Sequence, residues 1–264
     1  MSDSKLRELE RRWRETQSVE DEAAYLRERV RVGDLTQERL ELAARTGLPA
    51  AETVTGLKRI DRTSEWLHAI GSSSREAAIA AAWGAIQPVV TLLAKSPAFD
   101  SAAKFSEVIS RWLQTPSAAT RNALALLMAE TDTSRWPRYA TSVLQAGGAL
   151  LAEETIAIAR GVEESEAHGL RRLIESSGGV AVVIPNSFHS NERLRVDAIG
   201  LSPEGIGRIA PKARLPDRAS TIRAAIGTLR SAADPLWRAD GLDQRAIDDA
   251  ARHAVLAWAL GTGR

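Results

Sequence analysis

Cysteine is absent from the 264 residues. That excludes disulfides, thiolate nucleophiles, zinc fingers and cysteine-held iron–sulfur clusters together. Histidine is scarce: His68, His168, His189 and His253 lie far apart, and none forms a HExxH-type pair. Neither a GxSxG elbow nor a GxxxxGK[ST] phosphate loop occurs. A dominant charge is missing too. Lys plus Arg total 35 against 34 for Asp plus Glu, so no overall field points to a polyanionic partner. Long apolar runs reduce to one uncharged stretch, residues 77–94. It is Ala-rich, contains Gln87 and Pro88 and lacks flanking aromatics, so a buried helix of a soluble protein is expected and no membrane association. The opening Met1-Ser2-Asp3-Ser4-Lys5 runs into a charged segment without an apolar core, which predicts no signal peptide and a cytoplasmic location.

What is present reads as helix. Leu6, Leu9 and Trp13 recur at helical spacing among Glu and Arg, giving one apolar stripe. Ser18 and Asp21 suggest a cap for a helix that buries Ala23, Leu26 and Val30 and stops at Gly33. Thr36 is expected to cap a third helix closed by Gly47, and Pro49 to open a fourth. Further helices are expected at 62–70, 75–94, 101–114, 117–130, 135–146, 150–161 and 164–176. Trp66, Trp83, Trp112 and Trp136 fall about one to a helix at unequal intervals, which refuses a strict repeat and fits core positions.

The pattern changes at Ser176-Ser177-Gly178-Gly179. Val180-Ala181-Val182-Val183-Ile184 is β-branched and short, and Leu194-Arg195-Val196-Asp197-Ala198-Ile199 alternates as a half-buried strand should. The turn-rich residues between them predict an antiparallel hairpin. Two helices, 218–232 and 243–260, finish the chain. The expected fold is mainly α: irregular HEAT-like or bundled antiparallel helices over 1–177, divided into a charged module (1–60) and an array (61–177). A small C-terminal α+β unit containing the hairpin follows over 178–264.

Catalytic constellations are few. Glu164 with His168, and Asp248 and Asp249 with His253, have i,i+4 spacing but read as surface ion pairs. An acid–base set such as His189 with Glu192 has nothing in the sequence to assemble it. Gly205-Ile206-Gly207 lacks the opening helix that a dinucleotide fingerprint needs, and Ser202-Pro203-Glu204 suits the start of a short helical turn. No catalytic residue, cofactor or metal is assigned. Two binding candidates remain. Arg193, Arg195, Arg208, Lys212, Arg214 and Arg218 belong to a basic segment, 193–230, suited to an anionic ligand or partner. Phe188 and His189, at the hairpin tip, are a possible partner anchor.

A partial resemblance adds to this. Leu6 to Trp13, Val19-Glu20-Asp21-Glu22-Ala23-Ala24-Tyr25-Leu26 and Leu35-Thr36-Gln37-Glu38-Arg39-Leu40 resemble an N-terminal helical module of uncharacterised bacterial proteins. Ala82-Trp83-Gly84-Ala85-Ile86-Gln87-Pro88-Val89, Pro97-Ala98-Phe99-Asp100 and Ile109-Ser110-Arg111-Trp112-Leu113 are similar to helical immunity proteins of bacterial toxin systems. Where that family carries Arg-Pro-Arg, this chain has Ser101-Ala102-Ala103, and no binding residue is transferred. The resemblance covers the first half and implies an all-helical, protein-binding scaffold. The expected function is therefore a non-enzymatic interaction protein, toxin-neutralising or an adaptor of a bacterial assembly. The alternative is a nucleic-acid- or nucleotide-binding regulator using the basic segment.

Overall fold

The computed structural model describes residues 2–131, 140–153, 155–185, 194–210, 218–232 and 244–261. Among them are thirteen α-helices and one three-stranded antiparallel sheet, so the chain is mainly α with a small β unit.

The N-terminal helices begin where the sequence places their caps. After α1 (Ser2–Thr16), Ser18 accepts a hydrogen bond from the Asp21 amide at 3.1 Å and opens α2 (Val19–Arg31). Thr36 does the same for the Arg39 amide at 3.2 Å and opens α3 (Gln37–Thr46), which Gly47 closes at φ +105. Pro49 opens α4 (Pro49–Thr55). Each cap satisfies an amide that the first turn leaves without a partner. Ala23, Leu26, Leu40 and Ala43 form a first core.

The second and largest core surrounds α6 (Arg75–Leu92), which follows α5 (Thr63–Ser73) after the single residue Ser74. Helix α6, extended by a 3₁₀ turn at Leu93–Lys95, is long and apolar enough to cross a membrane by length and composition alone. Here 61% of that stretch is buried inside the protein. Against it lie α7 (Phe99–Gln114) and, after α8 (Ala118–Glu130), α9 (Thr141–Leu151). Trp66 and Trp112 are core residues, and half-buried Trp83 donates its Nε1–H to the Ser106 carbonyl at 3.0 Å. Trp136 lies outside the described residues.

The helices expected at 135–146 and 150–161 need correction. One helix, α9, bridges the gap between them, and the second region is strand β1 (Thr155–Val162). Ile156, Ala159 and Val162 stand opposite Ala198, Val196 and Leu194 on the strand they pair with, so residues sharing a face recur every three positions and not every two. Two register shifts, between Ala157 and Ala159 and between Arg160 and Val162, remove the alternation.

After α10 (Glu164–Ser176) come β2 (Val180–Pro185) and β3 (Leu194–Ile199), paired antiparallel as expected. The sheet order is β1-β3-β2. Strand β3 is therefore central, and Val196 to Ile199 are all buried, where alternation had suggested a half-buried strand. Three strands backed by α10 resolve the marginal stability of a lone hairpin.

Ser202 caps the short α11 (Pro203–Ile209) through the Gly205 amide, so Gly205 and Gly207 lie on a helical turn. Helices α12 (Arg218–Ala232) and α13 (Gln244–Leu260) complete the chain. They do not form a unit with the hairpin. Helix α12 packs on α5, α6 and α9, and α13 packs on α3 and α6. The sheet in turn takes β1 from before residue 177. The boundary expected at 177/178 is thus crossed by both the sheet and the helices, because the apolar faces of α12 and α13 find their partners in the main core.

Candidate functional site

The basic segment does not assemble among the described residues. Arg195, on β3, holds Asp197 with two contacts of 2.8 Å, and the carboxylate is buried, so this charge is already matched. Arg208 stands exposed on α11. Arg218 opens α12, but its side chain is not described, and Arg193, Lys212, Arg214, Phe188 and His189 lie outside the described residues. Glu164 and His168 are both exposed on α10. No group of three His, Asp or Glu side chains suited to a metal occurs among the described residues.

A different place gathers chemistry. A partly open groove of about 690 Å³ lies where α3, the α5–α6 junction, the end of α7, Glu153 and α13 meet. Local capping builds two of its walls. Thr36, as cap of α3, sets Glu38 and Arg39 in the first turn. Ser74 ends α5 and caps α6 through the Ala77 amide at 3.2 Å, which puts Arg75 at the first helical position.

Arg75 is anchored on three sides. Its Nη2 donates to the Leu150 carbonyl at 2.6 Å, its Nη1 lies 3.4 Å from a Glu153 oxygen, and its guanidinium sits 5.6 Å from the Trp112 ring centre. The other Glu153 oxygen accepts from the buried Thr221 hydroxyl at 3.3 Å, which holds the carboxylate in place. The Arg75 Nε–H is buried without a hydrogen-bond partner among the described residues. Such a donor costs about 1–3 kcal/mol of desolvation if nothing satisfies it.

Arg39 differs. Its guanidinium lies 4.5 Å from the Trp258 ring centre, a cation–π contact, and makes no hydrogen bond or ion pair among the described residues. Its donors are held in place and unused. Glu38 beside it has no partner either among the described residues, while Glu76 accepts from the Ser74 hydroxyl at 2.9 Å. Leu42, Leu113 and Pro116 supply apolar wall. The groove thus offers fork-shaped donors, carboxylates and an apolar surface. Sequence reasoning missed it because its residues come from separate segments spanning Thr36 to Trp258; the one local signal was Glu-Arg just after a cap.

A second buried charge serves the fold. Arg252, 5% exposed on α13, lies 4.5 Å from the Trp66 ring centre and donates to the carbonyls of Ile60 (2.8 Å), Asp61 (3.1 Å) and Thr46 (3.4 Å). Burial, and then the nearby Arg59 charge, lower its pKa from the usual arginine value. Trp66 donates in turn to the Thr46 hydroxyl at 3.1 Å. Three carbonyls and an indole from separate segments hold the guanidinium, so this is a staple between helices. Compared with known proteins, the chain matches no family model, no curated protein and no solved structure.

Proposed function

We propose that the protein is a non-enzymatic interaction scaffold, toxin-neutralising or an adaptor subunit of a bacterial assembly, and that the groove is its recognition site. The observation that supports this is Arg39 lying on Trp258 with its guanidinium donors unused among the described residues. Arg and Trp are enriched among the residues that dominate interface energetics, and a guanidinium held over an indole loses less freedom when a partner binds. The nucleic-acid alternative draws nothing from Arg195, whose charge Asp197 neutralises.

The test is affinity capture of the full chain from cells that express it, alongside Arg39→Ala and, as a remote control, Leu126→Ala at an exposed position on α8. A partner held at near-stoichiometric level by the wild type and the control, and at least tenfold weaker on Arg39→Ala, is the expected result. Capture of no protein partner, or equal capture by all three, overturns the reading.

A further inference from the structure

We propose that the same groove binds a small zwitterion, an apolar α-amino acid or a short apolar peptide, through its separated opposite charges. The inference shares with the scaffold reading only the view that this groove is a binding site.

Size is the first argument. About 690 Å³ lies within the range of roughly 300–1,000 Å³ typical of small-ligand pockets. The second is the unused donors. Arg39 presents a planar fork whose N–H groups meet no acceptor among the described residues, and a carboxylate accepts such a fork in bidentate fashion. Arg75 is fixed on other groups, and the wall it contributes is already neutralised by Glu153.

Charge balance then selects among anions. Two arginines, Arg39 and Arg75, line the groove against three carboxylates, Glu38, Glu76 and Glu153. A phosphate dianion or nucleotide would bring further negative charge beside those carboxylates. A simple carboxylate would satisfy Arg39 and leave Glu38 unanswered. A ligand with an ammonium and a carboxylate answers both, with no net charge added to the site. The third argument is the wall. Leu42, Leu113 and Pro116, with the Trp258 ring, give an apolar side chain surface to cover. Burying such a side chain strengthens binding only if its polar ends are also matched.

The experiment is thermal unfolding of the full chain with 10 mM L-leucine, L-phenylalanine or the dipeptide Leu-Leu. N-acetyl-L-leucine keeps only the carboxylate, L-leucinamide keeps only the ammonium, and AMP represents the phosphate class. A zwitterion present at ten times its Kd raises Tm by about 3–5 °C for a chain of this size. The expected result is such a rise with the amino acids or the dipeptide, at most a third of it with either single-charge analogue, and none with AMP. Whether the amino acids or the dipeptide give the larger rise separates the two sources. Arg39→Ala, measured against its own ligand-free Tm, loses the rise.

No rise with any zwitterion overturns the proposal. So does an equal rise with N-acetyl-L-leucine or AMP, or a rise that survives Arg39→Ala. If the zwitterions fail while partner capture still depends on Arg39, this inference falls and the scaffold reading stands. If they succeed while capture fails, the reverse holds.

Discussion

At the scale of the residue, two buried charges carry different consequences. Arg252 is surrounded by carbonyls and an indole, with no carboxylate among its hydrogen-bond partners in the described residues. Arg252→Met keeps the stem and removes every donor, leaving the Ile60 and Asp61 carbonyls without their charged partner. The expected cost is about 2–4 kcal/mol, read as a lower urea midpoint. Glu28, only 4% exposed on α2, is gripped by Arg31 at 2.6 and 2.8 Å and by Lys5 at 3.4 Å. The hydrogen bonds from Arg31 lead in holding its pKa down from 4.5 to about 2. A depressed carboxyl stabilises the fold above its unfolded pKa and ceases to do so as pH falls through the folded one. The stability difference between wild type and Glu28→Gln is therefore expected to be full above pH 4.5 and to shrink toward pH 2. Urea unfolding at stepped pH checks it; a difference that stays constant across that window contradicts it. The sequence showed the caps at Ser18 and Thr36 because a cap lies within three residues of its partner. It concealed the role of Arg252, whose partners lie more than 190 residues away.

At the scale of the element, close approach decides what a helical glycine does. A methyl added at Gly84 on α6 would lie 2.5 Å from the Ala254 Cβ and 2.6 Å from the Ala250 carbonyl oxygen. The missing side chain is what lets α6 and α13 touch backbone to backbone. Gly169, exposed on α10, has nothing within 4 Å of such a methyl. Ala normally favours a helix over Gly by about 1 kcal/mol. Gly169→Ala is therefore expected to raise stability by roughly 0.5–1 kcal/mol. Gly84→Ala is expected to reverse that sign and lower stability by about 1–3 kcal/mol, since overpacking two helix backbones has no soft neighbour to yield. Thermal melts of the two variants side by side test the contrast; two stabilised variants would refute the close contact. Strand β1 was illegible for a related reason. Two register shifts replace its period of two with a spacing of three, Ile156, Ala159 and Val162, which reads as helix, and the pairing with β3 selects a strand there.

At the scale of the molecule, α13 joins what composition had divided. Ile247, Ala251 and Val255 belong to the main core, while Leu256 and Leu260 pack against the N-terminal one. Arg252, next to Ala251, ties α13 to the carbonyls of Thr46, Ile60 and Asp61. The Ser-Gly break at 176–179 and the strand pattern after it suggested a separate C-terminal unit, but those are local signals. They say nothing of which core an apolar helical face will enter, so neither the boundary nor the groove beside Trp258 could be read from the sequence. Helix α1 is the opposite case. Among the described residues its only extended packing is on α2, through the Trp13–Tyr25 stack at 5.4 Å and the Arg12–Asp21 pair at 2.8 Å. Deleting residues 1–17 is therefore expected to leave one cooperative calorimetric transition with a modestly lower Tm. Ending the chain at residue 243 strips a wall from two cores at once and is expected to abolish cooperative unfolding altogether. A truncated chain that still melts sharply, or a full chain that melts in two separate steps, would mean that α13 does not couple the cores.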